Sequence, residues 1–460
     1  MTAFRARLRR LTDSAVAHAD RTIALTGAIM LAAHLVAAVV LAKPNGRVVF
    51  GDATHHFVQL RSLVFDRDLN FQNEYTRIYE LRGGEPETEW VTRDLTSTGH
   101  VRNYMPIGPA LLWAPLYLLI VTAQWLASIA GLAAAPDGYG RVAQLAPGLT
   151  GIMAATCAAM LAHRFARRLT DPSTALAATL AVWLGSHALY YSLVSPSYSH
   201  APSMLAGAIF FGHWLATRDA PAPGRLAVSG ALAGLAALMR WQDALFLLVP
   251  LIEALRWRTT LTQRLTGAVA GAMAFVVVFS PQMIVWNVLY GHPFTIPQGP
   301  SFMQWTTPHL WLVLVSVRHG LFSWAPLLIP AAIGLVAWCL RDRRAAAPIL
   351  SVLAASWYVN AAVADWWAGE AFGARRFLSL FPLFVAGLAW WLAAGSADRR
   401  PRAARLAIVA LLVVANGLLL LQYELAMKGL DALAPYPGDA ATLWLTRFVV
   451  PFRVAAWLMR

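Results

Sequence analysis

Long uncharged runs recur along the whole chain, each closed by a short polar stretch. The first, Thr22 to Ala42, leads into GDATHHFVQLRSLVFDRDLNFQNEY, Gly51 to Tyr75, where aspartates, histidines and arginines crowd together. Runs of about twenty apolar residues match a hydrocarbon core about 30 Å thick. Short alternating strands of the kind that build a membrane barrel are absent. The pattern predicts an all-α polytopic membrane protein with spans over 22–42, 142–162, 173–194, 201–217, 226–239, 243–255, 265–290, 321–340, 345–364, 377–396 and 406–423, which is eleven crossings. Segments 226–239 and 243–255 read as a short hairpin.

Charge sets the direction of these spans. Arg5, Arg7, Arg9, Arg10 and Arg21 precede the first one, which predicts a cytoplasmic N-terminus, residues 1–21. Later clusters are Arg164/Arg167/Arg168, Arg218/Arg225, Arg256/Arg258/Arg264, Arg341/Arg343/Arg344 and Arg399/Arg400/Arg402/Arg405. All can face the cytoplasm only if the apolar segment 106–133 does not cross. Pro106, Pro109 and Pro115 suit a broken, tilted or half-embedded helix there. The first outer loop then covers 43–141 and contains juxtamembrane helices. The tail, 424–460, ends outside in FRVAAWLMR, an amphipathic segment suited to the membrane surface.

Composition agrees with this reading. The chain of 460 residues is 58% hydrophobic and 13% charged, against about 25% charged in an average soluble domain. Its net charge of +14 lies in arginine clusters between spans, as topology signals do, so nucleic acid is not an expected partner. Cys157 and Cys339 fall in apolar spans and imply no disulfide. The first apolar run is too long for a signal-peptide core and reads as a retained helix.

The polar chemistry converges on the outer face. Nine of the 23 acidic residues lie between Lys43 and Gly108. The same side carries SPSYSHAP (195–202), the hairpin tip RWQD (240–243), RHGLFSWAP (318–326) and DWWAGEAFGARRF (365–377). That distribution predicts a site at the extracytoplasmic surface of the bilayer.

These residues resemble the GT-C superfamily of membrane glycosyltransferases, which includes protein O-mannosyltransferases, aminoarabinose transferases of lipid A and actinobacterial arabinosyltransferases. The resemblance rests on Gly51–Asp52 after the first span, the long first outer loop, YMPIGP (104–109), SPSYSH, and FGARRF with Pro382 following. It covers roughly residues 20–400 and rests on the order and sidedness of these stretches. Several relatives carry an Asp-Glu pair where this chain has Asp52–Ala53, and many carry a folded C-terminal domain beyond their last span. The resemblance implies a GT-C-like catalytic domain over 22–423, a polyprenyl-phosphate-linked sugar donor, a hydroxyl-bearing acceptor (lipid, glycan or protein) and inverting transfer on the outer face.

Such a transfer needs a base for the acceptor proton and cationic groups for the departing phosphate. Asp52 is the expected base, with a pKa raised by its apolar surroundings; the other reading is a helix cap. Asp68 is either a second carboxylate, on acceptor or metal, or a turn residue. His55 and His56 stand a helical turn from Asp52, which fits a divalent metal as well as a structural role. Arg375 and Arg376 are expected to bind phosphate through their planar donor forks. Arg240 either joins them or pairs with Asp243. Tyr198 and His200 either donate to phosphate or sugar, or form a packed polar cluster. Trp366 and Trp367 fit sugar stacking or an aromatic belt, and Glu370 could take a sugar hydroxyl.

The rival reading from another class is a transporter or lipid flippase, which predicts related halves and polar residues at the bilayer midplane. Neither is visible here. The expected location is a bacterial inner membrane, with the site facing the periplasm or cell exterior.

Overall fold

Uninterrupted apolar stretches can satisfy their backbone groups inside lipid only by coiling, and helices account for almost all of the regular structure. A computed structural model describes residues 2–40, 46–80, 87–219, 222–257, 259–394 and 399–459. Arg258, placed above with the cytoplasmic arginines, lies outside them, as do the side chains of Arg5, Arg7, Arg9, Arg10, Arg399 and Arg400.

The helices run α1 Thr2–Val40, α2 Asp52–Arg61, α3 Gln72–Glu80, α4 Glu87–Arg93, α5 Gly108–Ile129, α6 Arg141–Ala166, α7 Pro172–Leu184, α8 His187–Leu193, α9 His200–Thr217 and α10 Pro223–Met239. A 3₁₀ segment, Trp241–Leu247, then leads into α11 Leu248–Arg256, followed by α12 Leu261–Tyr290, α13 Leu312–Val315, α14 Leu321–Trp324, α15 Leu328–Arg341 and α16 Arg343–Ala361. Another 3₁₀ segment, Arg375–Leu380, opens α17 Phe381–Ala393; α18 Arg399–Met427 and α19 Arg447–Leu458 follow. Among the described residues, six helices are individually long and apolar enough to cross a bilayer: those containing 18–40, 108–129, 141–166, 261–290, 375–393 and 402–427. The remaining expected spans are shorter or are built from two pieces. The protein is a multi-pass, all-α membrane protein.

Small residues let helices in the bundle approach closely. A side-chain carbon on Gly230 of α10 would strike the Gly271 carbonyl of α12, and one on Gly334 of α15 would strike the Gly387 carbonyl of α17. The run expected over 173–194 is broken at Gly185–Ser186. Asn416 of α18 donates to the carbonyls of Leu184 (3.1 Å) and Ser186 (3.3 Å) left free by the break.

The arginine clusters gather at one end. There Arg164 pairs with Asp20, Arg218 with Asp342, Arg225 with Glu253, Arg344 with Asp219 and Arg402 with Asp171. Asp52, Tyr198, Arg240 and Arg375 gather at the other end, where α1 finishes.

Helix α5 has the length to cross, and the contacts of its first half lie on that second side. Its first residue sits against Leu238 at the C-terminal end of α10, and the Tyr117 hydroxyl donates to the Gly138 carbonyl (3.0 Å) just before α6. Trp113 and Tyr117 pack edge-on to His56 and Phe57 of α2. The break expected from its prolines does not occur. Pro109 lies in the first turn, where its missing N–H costs nothing, and the helix continues through Pro115. Leu119, Trp125, Leu126 and Ile129 face outward.

This geometry fixes a labelling outcome. With Cys157 and Cys339 replaced by Ala, single cysteines at Ala133 and Glu370 are expected to react with an impermeant thiol reagent from one side of the membrane, and one at Arg168 from the other. Shared labelling of Ala133 and Arg168 would overturn the non-crossing placement of α5.

Candidate active site

The chain leaves α1 and is turned into α2 by Gly51, whose φ of +55° is open to glycine at little cost. A side-chain carbon at Gly51 would also collide with the Tyr198 hydroxyl. The turn is held from α6: Gln144 accepts from the backbone N–H of Val48 (2.8 Å) and Val49 (3.2 Å). Asp52 is therefore presented as the first residue of α2, where the helix dipole favours a negative charge.

Across the cavity, the 365–376 loop turns back on itself through left-handed residues Ala368 (φ +64°), Gly369 (+63°) and Gly373 (+65°). His187 occupies the space a side chain at Gly373 would need. The loop delivers Arg375 to Asp52, Nη1 to Oδ2 at 2.6 Å, while Arg375 Nη2 donates to the Ala368 carbonyl (3.0 Å). Arg376 donates to the carboxylate of Asp365 (2.7 Å) and to its carbonyl (2.8 Å). Arg240 lies where α10 gives way to the 3₁₀ segment. Its Nη1 donates to His200 Nδ1 (2.8 Å) and its Nη2 to Gln242 Oε1 (3.1 Å), while its buried Nε has no hydrogen-bond partner.

Asp52, Arg240, Arg375, Arg376 and Asp365 line one cavity of about 440 Å³. Three guanidiniums face two carboxylates there, so the polar floor is net cationic. The flank is apolar, with Met105, Trp241, Ile296, Phe302, Trp305 and Val363. Part of that wall is zipped shut by a bridge between Met303 and Val363 and by the Gln304 N–H donating to the Ala362 carbonyl (2.6 Å).

Burial pushes the Asp52 carboxyl up, but Arg375, His55, His56 and Arg240 outweigh it and hold the group below its ordinary value. The raised pKa expected from an apolar setting is thus corrected: the ion pair dominates. His56 is driven by burial down to about 3 and is neutral at pH 7. Its Nδ1 donates to the Pro106 carbonyl (2.9 Å).

Several expected residues stand elsewhere. Asp68 accepts from Ser62 Oγ (2.7 Å) and the Asn70 N–H (3.1 Å), a turn arrangement beside a separate surface concavity that also includes Asp66, Asn73 and Arg77. His55 bonds the Tyr75 hydroxyl (2.7 Å) rather than lining the cavity. Glu370 is exposed and off the cavity, because the turn at Ala368–Gly369 points it away from the arginines. Trp366 packs near His309, and Trp367 lies under Arg318. Tyr198 and His200 form a packed cluster with Tyr191 behind the guanidiniums. Asp243 accepts from Ser203 Oγ (3.1 Å), and the Arg240 guanidinium hydrogen bonds to His200 and Gln242 instead. Among the described residues no three His, Cys, Asp or Glu side chains converge as a metal site.

Asp365 and Gln242 belong to the site but were not singled out from the sequence. The rule that marked Asp52, an acid at the outer edge of a span, applies equally to Asp365. Gln242 carries no comparable signal. It is placed by its bonds to Arg240 (3.1 Å) and to the Arg376 carbonyl (3.0 Å).

No protein-family model and no curated protein matches the chain. Among solved structures it is similar to ArnT from Cupriavidus metallidurans bound to undecaprenyl phosphate, at 16% identity and a TM-score of 0.42, covering 93% of this chain and 76% of that one.

Proposed function

We propose that the protein is an inverting glycosyltransferase that moves a sugar from a polyprenyl-phosphate donor to a hydroxyl acceptor at the outer face of the membrane. The observation that carries this reading is one cavity holding a carboxylate, Asp52, and three guanidiniums, beside an apolar flank suited to a lipid chain. Arg240 is the first phosphate ligand, because no carboxylate takes its hydrogen bonds and its two terminal nitrogens, bonded to His200 and Gln242, each carry a further N–H. Arg375 and Arg376 are neutralised by Asp52 and Asp365 until an anion arrives.

Asp52 takes the acceptor proton, the acceptor oxygen forms a bond to the anomeric carbon, and the bond from that carbon to the phosphate oxygen breaks. The electron pair leaves with the phosphate, whose charge the guanidiniums stabilise. A phosphate that draws Arg375 toward itself weakens its hold on Asp52, so donor binding raises the basicity of the carboxylate.

The test is binding and transfer by the purified full chain. Native mass spectrometry is expected to show a polyprenyl monophosphate bound and the uncharged polyprenol not. A panel of radiolabelled polyprenyl-phosphate sugars, incubated with reconstituted protein and membrane extract, is expected to yield label in an acceptor. Equal retention of alcohol and phosphate, with no transfer from any donor, would remove the reading.

A further inference from the structure

The C-terminal segment after α18 reaches back to the arginine loop through one side chain. His319 is buried, and its backbone is in the left-handed region at φ +64°, where a β-carbon is crowded. Its Nδ1 lies 2.8 Å from the Trp367 carbonyl and its Nε2 2.8 Å from the Tyr436 hydroxyl. A carbonyl can only accept, so Nδ1 carries the proton; in the neutral ring Nε2 then accepts from Tyr436. Burial drives the His319 ring down to about 4, which keeps that neutral tautomer at pH 7. Tyr436 is itself tethered, because Gln422 of α18 donates to the carbonyls of Pro435 and Thr442, each at 3.1 Å.

The residue after Trp367 is Ala368, also left-handed at φ +64°, and its carbonyl accepts from Arg375. Two non-glycine residues in a costly conformation thus meet at one peptide. Such strain persists only where the surroundings hold it. The hydrogen bond from His319 fixes the Trp367 carbonyl and with it the direction of the next one, which aims Arg375 at Asp52.

We propose that His319 is a positioning residue: a latch, closed by Tyr436 of the C-terminal segment, that sets the Ala368 carbonyl and thereby holds Arg375 between Asp52 and the donor phosphate. The latch rests on the proposed transferase reading for its effect on turnover, but its effect on the loop is independent of that reading. It makes the C-terminal segment part of the site's support.

His319→Ala, His319→Asn and Tyr436→Phe separate the contacts. Asn keeps a donor near the Nδ1 position and loses the Tyr436 bond; Phe loses only the hydroxyl. Loosening of catalytic groups by about 1 Å costs about 10²-fold in turnover, so His319→Ala is expected to lose transfer on that scale, with His319→Asn recovering most of it and Tyr436→Phe losing only a few-fold. The acid limb of the pH–rate profile is expected to move upward in His319→Ala, because Asp52 loses its partner, and to stay in place in His319→Asn. A merely structural defect would lower the amount of active protein without moving that limb. Hydrogen exchange over residues 365–376, read without any substrate, is expected to speed up in His319→Ala and return to normal in His319→Asn. If wild type transfers no sugar, the exchange result still decides the latch. Wild-type exchange in His319→Ala overturns the proposal, as does His319→Asn matching His319→Ala. Should His319→Ala fail to fold, His319→Phe, which fills the ring's space and loses both bonds, takes its place, and wild-type exchange over 365–376 in that variant overturns the proposal.

Discussion

Asp52→Asn is expected to bind a polyprenyl monophosphate with near wild-type affinity while sugar transfer falls by about 10²–10⁴-fold, the usual contribution of a general base. The amide keeps one acceptor for Arg375 but cannot take the acceptor proton. A matched thermal-unfolding control separates this from misfolding, since the change also leaves the half-buried Arg375 without its counter-charge. The pH profile adds a second check. Asp52 sits below the ordinary carboxylate range in the donor-free protein, so kcat/KM for the donor is expected to hold as pH falls through that range and to drop only beneath it, whereas kcat, read with donor bound, falls at higher pH. The stability contributed by the Asp52–Arg375 pair follows the same sign: present above the unfolded value and lost as pH falls through the depressed folded one. Arg375→Gln removes the largest downward pull and leaves burial opposed only by His55, His56 and Arg240, so the acid limb should move to higher pH. If Asp52→Asn turns over normally while Asp365→Asn is dead, the base is Asp365, the other carboxylate of the cavity.

Arg240→Met is expected to weaken polyprenyl monophosphate binding by about tenfold to a hundredfold, since a charge-assisted hydrogen bond to a desolvated phosphate is worth about 1.5–3 kcal/mol. Methionine preserves much of the volume, so packing changes little. Arg240→Lys should recover only part of the loss, because a point charge cannot reproduce the planar fork that spans His200 and Gln242. The effect should exceed that of Arg376→Met, whose guanidinium is already committed to Asp365. Binding by titration on reconstituted protein checks this order. Full binding by Arg240→Met with loss in Arg376→Met would place the phosphate at the far side of the cavity.

Much of the architecture is legible in the sequence alone. An apolar stretch in lipid has one local solution, the helix, so spans such as 265–290 and 142–162 fall within a few residues of α12 and α6. The arginine clusters showed sidedness because moving them through the bilayer is costly, and their ion pairs do gather at one end. Asp52 and FGARRF were legible as polar groups at span edges, where ionisable residues default to function. Partner choice was not. Asp52 and Arg375 are 323 residues apart, and the distance between them depends on how α2 and the 365–376 loop pack, as does the sign of the carboxyl's shift. Asp68 and Glu370 had the same residue types in equally suggestive stretches, yet a turn at Ser62–Asn70 and a left-handed step at Ala368–Gly369 directed them elsewhere. Local composition fixes where a polar group leaves the membrane; only long-range packing fixes which other group it meets there, because that contact is made between elements whose mutual distance no local pattern encodes.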